Sequence, residues 1–171
     1  MKNPTRHKLR EAEYFLHQTQ HSFENDEEFY WNLNAFLSAA RSITFYMQKQ
    51  YRHEAGFAEW YCRHQIQMKA DPELDYLNCA RVDTVHTEVV PTGTTREVSH
   101  AVHAFMNTEG SMRESSQQAE RKSHVQSAPR AIRRFFPKFM NVDVIPFCAS
   151  QLDKYTRLVE ECEKLFLETT S

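Results

Sequence analysis

The chain has 171 residues, 40% apolar and 26% charged, with a formal net charge of −2, three glycines and six prolines. That length allows one domain whose core needs no metal or disulfide, the scarcity of glycine and proline disfavours an all-β fold, and the near-neutral charge argues against wholesale coating of nucleic acid. No window approaches eighteen uninterrupted apolar residues and the N-terminus lacks an apolar h-region, so the expectation is a cytoplasmic protein with no membrane span.

The first helix is predicted over residues 6–23, where Leu9, Ala12, Phe15, Leu16, Thr19 and Phe23 recur at three and four residues. His17 and His21 lie four apart, a spacing that puts two ligands on one face, although solvated surface histidines are the plainer reading because no third ligand is nearby. Asn25 with Glu28 three residues on reads as a capping box. It opens the strongest element, a helix over residues 26–51. Its stripe is Phe29, Leu33, Phe36, Leu37, Ala40, Ile43, Thr44, Met47 and Tyr51. Ser38, Ala39, Ala40 and Ser42 keep its middle slim, which lets a neighbouring helix approach closely.

Gly56 marks a break before a short aromatic helix carrying Phe57, Trp60, Tyr61, His64 and Met68 and closing near Ala70. Asp71 and Pro72 then open a fourth helix as cap and first-turn proline, running to Arg81 or beyond. From Val82 the β-branched content rises, and Pro91-Thr92-Gly93-Thr94 is a turn signal. A hairpin is expected here, with residues 95–106 as its second strand, although Val98, Val102 and Phe105 also fit helical spacing. Residues 107–130 are polar with little to bury, and a mobile loop is expected. The last helix is predicted over residues 146–167, with Phe147, Leu152, Tyr155, Leu158, Val159, Cys162, Leu165 and Phe166 as its stripe.

The expected fold is therefore mainly α: one domain over residues 1–171, an antiparallel bundle of four to five helices with a small β-hairpin insertion after the fourth. Cys62, Cys79, Cys148 and Cys162 are scattered without CxxC spacing, so they read as reduced thiols rather than metal or redox ligands. Neither a cofactor nor a metal is called for. A metal enzyme built on His17, His21, His100 and His103 lacks carboxylates at ligand spacing.

Arg81 shares the apolar stripe of Leu74, Leu77 and Val85, and burying a guanidinium there is costly unless it is paired. A carboxylate such as Glu24 or Asp26 in the first interhelical turn is one candidate partner. The other reading makes Arg81 a phosphate-binding cation. His86, five residues on, has the chemistry of a general acid or base. Seven basic residues against two acidic ones between residues 111 and 138 add a basic stretch beside Phe135, Phe136 and Phe139. Arg130, Arg133 and Arg134 are its candidate nucleic-acid contacts; alternatively, the phenylalanines anchor the end of the loop to the core.

The Arg81-x4-His86 spacing late in a helical bundle, with Asn34-Ala35-Phe36-Leu37-Ser38-Ala39-Ala40-Arg41-Ser42 in a long second helix, resembles the HEPN superfamily of nucleotide-binding and RNase domains. The resemblance implies a homodimer whose Arg81 and His86 converge at the interface to cleave RNA without metal, in a toxin or defence setting. The sequence departs from the pattern at Val82, where active members usually carry a polar residue. The resemblance then implies, as its alternative, a non-catalytic helical protein that binds a nucleotide or a protein partner.

Overall fold

In the computed structural model, residues 3–87, 92–97 and 131–167 are described. Among these are five α-helices, a two-stranded sheet and one short 3-10 turn. The chain forms two compact units, one comprising Met1–Gly93 with Arg134–Ser171 and the other Thr94–Arg133.

The helical unit is built from α1 (Pro4–His21), α2 (Asp26–Tyr51), α3 (Phe57–Ala70), α4 (Pro72–Thr87) and α5 (Val144–Phe166). Local chemistry sets each start. The Asn3 side chain accepts from the Arg6 amide, with Pro4 in the first turn, so α1 begins two residues earlier than its apolar periodicity indicates. Asn25 accepts from the Glu28 amide, and Asp26, Glu27 and Glu28 then face the positive end of the α2 dipole. Gly56 turns the chain into α3 with φ +82°, a conformation that favours glycine. The Asp71 carboxylate accepts from the amides of Glu73 and Leu74 at 3.0 and 3.2 Å and so caps α4.

α1 and α2 form an antiparallel hairpin. Thr5 at the start of α1 bonds Gln50 at the end of α2, Lys8 lies over the Tyr46 ring, and Ser22 at the far end of α1 accepts from Asn32. α5 packs against α1 and α2, while α4 packs against α2 and α3. Arg6 and Asn3 both bond Glu163, which ties the start of α1 to the end of α5. The predicted stripe of α2 is buried throughout, as are Leu9, Ala12 and Leu16 of α1 and Phe147, Leu152, Tyr155, Leu158, Val159 and Cys162 of α5. Two aromatic groups close the core: Tyr51, Phe57, Trp60 and Phe166 in one, Tyr76, Phe136, Phe139 and Phe147 in the other. None of the helices, among the described residues, is long and apolar enough to cross a membrane.

A mainly helical bundle carrying a small sheet after α4 is what the sequence indicated, but the strands are paired differently. α4 continues through the β-branched run to Thr87, so residues 82–87 are helix rather than the first strand of a hairpin. β1 (Gly93–Glu97) instead pairs with β2 (Ala131–Phe135), far along the chain. Phe135 goes on to bridge Asp143 in antiparallel fashion just before α5. The expected loop over residues 107–130, and the strand-or-helix question over 98–106, lie outside the described residues.

Candidate protein-interaction face

Among the described residues, the outer face of α2 carries two of the large apolar side chains that the helical unit leaves exposed. At 100° per residue, Trp31, Ser38 and Phe45 fall within about 20° of one line, opposite the buried stripe of Phe29, Phe36, Ile43 and Met47. Trp31 and Phe45 are each 64% exposed. Ser38 between them is exposed and Ala35 and Ser42 are half-buried, so the face is slim in the middle and bulky at both ends. Glu27 and Lys49, both exposed, continue the same line at its two ends. Trp31 and Phe45 share one line of the helix about 21 Å apart, with the slim stretch around Ser38 between them. The slim middle was legible in the sequence, because Ser38, Ala39, Ala40 and Ser42 stood out. The aromatics at its ends were not singled out, although their seven-residue spacing from Ser38 carries the signal.

A second feature is a cleft between α3, the start of α4 and α5, with a volume of about 240 Å³. His64, Gln67, Met68, Asp71, Lys154, Arg157 and Glu161 are among its lining residues. Its charges are largely committed to one another. Lys154 donates to Asp71 at 2.6 Å and to Glu73 at 3.0 Å, and Gln151 donates to the same Glu73 oxygen. Burial alone would push the Asp71 carboxyl up, but the bonds from Lys154 and from the amides of Leu74 and Glu73 outweigh it and hold the group below its ordinary range. Burial likewise pulls the Lys154 ammonium down, and its bonds to Asp71 and Glu73 more than reverse that. His64 packs against Trp60 with ring centroids 4.4 Å apart and planes tilted by 51°, and it shares Glu161 with the indole N–H as a hydrogen-bonded boundary histidine. The cleft is smaller than a typical small-molecule pocket.

The residues expected to do chemistry are placed as follows. Arg81 is half-buried on α4, following the buried Leu74 and Leu77. His86 lies in the last turn of α4, and its side chain falls outside the described residues, as does Arg130. Arg133 is exposed on β2 in the smaller unit. Arg134 is turned inward. Only 1% exposed, its guanidinium donates to the Phe23 carbonyl at 3.0 Å and to Asp26 at 2.5 Å. It also lies 4.3 Å from the Phe29 ring centroid, with Phe23 and Tyr30 at 5.5 and 5.9 Å. Arg134 is thus a buried arginine paired with the Asp26 carboxylate, and it presents no guanidinium to a phosphate. Phe136 is buried and Phe139 packs on Tyr76 and Phe147, so these phenylalanines anchor the chain to the core. His17 and His21 lie with ring centroids 4.0 Å apart and planes tilted by 39° on the exposed side of α1. No group of three or more His, Cys, Asp or Glu is arranged to hold a metal among the described residues, and His100 and His103 lie outside them.

Comparison with known proteins returns no matching curated protein and no matching solved structure. The family model described as bacteriophage lambda protein ea47 matches residues 3–128. This overturns the resemblance to the HEPN superfamily, for which no family model matches. The Arg81-x4-His86 spacing is short enough to arise by chance, and the slim phrase around Ser38 is a packing feature any close helix contact requires. With well over half of its length matched, the chain belongs to the bacteriophage lambda protein ea47 family.

Proposed function

We propose that the chain is a non-catalytic helical protein that binds a protein partner through the outer face of α2. The observation that carries this reading is the alignment of Trp31 and Phe45, both 64% exposed, on one line of the longest helix. Aromatic side chains concentrate interface energy, and a slim stretch between two of them lets an opposing backbone come close. The cleft between α3 and α5 supports the same reading, because its lysine and carboxylates neutralise one another rather than standing ready for a substrate.

The test is a photoreactive benzophenone residue placed at position 31 or 45 of the full chain in cells, with position 66 as control. Ile66 is 65% exposed on α3, away from the α2 face. Covalent adducts with a protein at 31 and 45, and few at 66, are expected. Their absence at 31 and 45 refutes the reading. Incubation of the purified chain with mixed RNA checks the non-catalytic part: cleavage that survives EDTA and disappears in Arg81→Ala overturns it.

A further inference from the structure

We infer that the α2 face pairs antiparallel with the α2 face of a second copy of this chain, about a two-fold axis at Ser38. The inference rests on the interaction reading above and names its partner. The evidence is the order of residues along the exposed line. Counting outward from Ser38, Trp31 lies seven residues before and Phe45 seven after, while Glu27 lies eleven before and Lys49 eleven after. A two-fold axis through Ser38 therefore sets Trp31 of each copy against Phe45 of the other, and Glu27 of each against Lys49 of the other. All five residues fall within about 20° of one line, so every pair forms along a single seam. Isologous pairing requires this kind of self-complementarity, in which a patch matches itself when reversed.

Ala35 and Ser42 flank the line as small side chains, and Arg41 donates to Thr44 of its own helix at 3.0 Å, which turns it away from the seam. Ser38 meets itself where the helices are closest. Antiparallel alignment also brings the acidic first turn of α2, with Asp26, Glu27 and Glu28, beside the last turn that carries Lys49. The macrodipoles of the two helices then oppose each other favourably. A parallel arrangement sets Glu27 against Glu27 and Lys49 against Lys49, and the charges reject it.

Sedimentation or light scattering of the full chain at micromolar concentration tests this directly. The expected result is a dimer of the 20.2 kDa chain. Trp31→Glu weakens self-association by about 100-fold or more, since each substitution acts twice across the axis. Glu27→Lys alone and Lys49→Glu alone each weaken it by about tenfold. Combined in one chain they restore it, and the two single variants mixed together form a heterodimer. Ser38→Cys, in a Cys62→Ser, Cys79→Ser background, forms an intermolecular disulfide on oxidation. Unchanged circular dichroism shows that each variant folds. A monomer at all concentrations overturns the inference, and so does a dimer indifferent to Trp31→Glu or a charge reversal with no rescue. Adducts at position 31 with a different protein only, together with a monomeric chain, preserve the interaction reading while removing self-pairing.

Discussion

Removing the Arg134 side chain is the most informative perturbation of the helical unit, because that guanidinium joins the chain at β2 to the turn between α1 and α2. Its bond to the Phe23 carbonyl is a charge-assisted one worth about 1.5–3 kcal/mol, and losing it orphans the oxygen. The Asp26 side chain is 56% exposed, so that pair is worth only about 1 kcal/mol after solvent screening. Stacking over Phe29 at 4.3 Å adds about 1 kcal/mol in a desolvated setting. Arg134→Ala is therefore expected to cost about 4 kcal/mol, a large fraction of a typical domain's stability. Arg134→Met retains a stem of similar reach and should cost about 2 kcal/mol, because the cavity is refilled while the orphaned carbonyl remains. Asp26→Asn keeps an acceptor and should cost about 1 kcal/mol. Urea unfolding followed at 222 nm measures all three. An Arg134→Ala variant within 1 kcal/mol of the parent, on the order of the surface-substitution range, refutes the reasoning, as does Asp26→Asn costing as much as Arg134→Ala.

Four further outcomes follow from the structure. The Asp71 carboxyl is held below its ordinary value of 3.8, so the stability it contributes is present above that value and lost as pH falls through the lower folded one; Lys154→Met should flatten the acid limb of a stability–pH curve, and an unchanged limb counts against the pairing. Asp71→Asn should remove that pH dependence while retaining the cap on α4, whereas Asp71→Ala should lose about 1 kcal/mol more, read as a difference in urea midpoint. Burial pushes the Cys148 thiol up and the Cys162 thiol up to about 12, while Cys62 and Cys79 are exposed, so a thiol reagent at pH 8 should titrate two groups in the native protein and four in urea. A methyl group on Gly93 would meet the Phe135 ring at 2.4 Å, so Gly93→Ala should destabilise by about 1–3 kcal/mol, and a neutral effect on melting would show that the ring yields freely.

The helices were legible because their signals are local. The periodic stripe of α2, the capping pair Asn25 and Glu28, and the Asp71-Pro72 start of α4 each declare an element within a few residues. The start of α1 was misplaced for a local reason too: Asn3 and Pro4 lie ahead of the first apolar position and carry no periodicity. Strand pairing was less legible, since β1 finds its partner across more than thirty residues of sequence and no local pattern encodes that choice. The same limit applies to the arginines. Spacing showed Arg81 on an apolar stripe, but the deepest guanidinium among the described residues is Arg134, whose acceptors lie more than a hundred residues earlier. A run of basic residues looks alike in sequence whether each side chain faces water or a carbonyl.

The meeting of Gly93 with Phe135 has a topological consequence. The smaller unit, Thr94–Arg133, leaves the helical unit and returns to it at strands that pair side by side, so it is an excursion with adjacent ends. Exchanging its roughly forty residues for a four-residue turn would shorten the closed loop about tenfold, which lowers the closure cost by on the order of 2 kcal/mol. The contacts of Arg134 with Phe23, Asp26 and Phe29 all lie within the helical unit, so they survive that exchange.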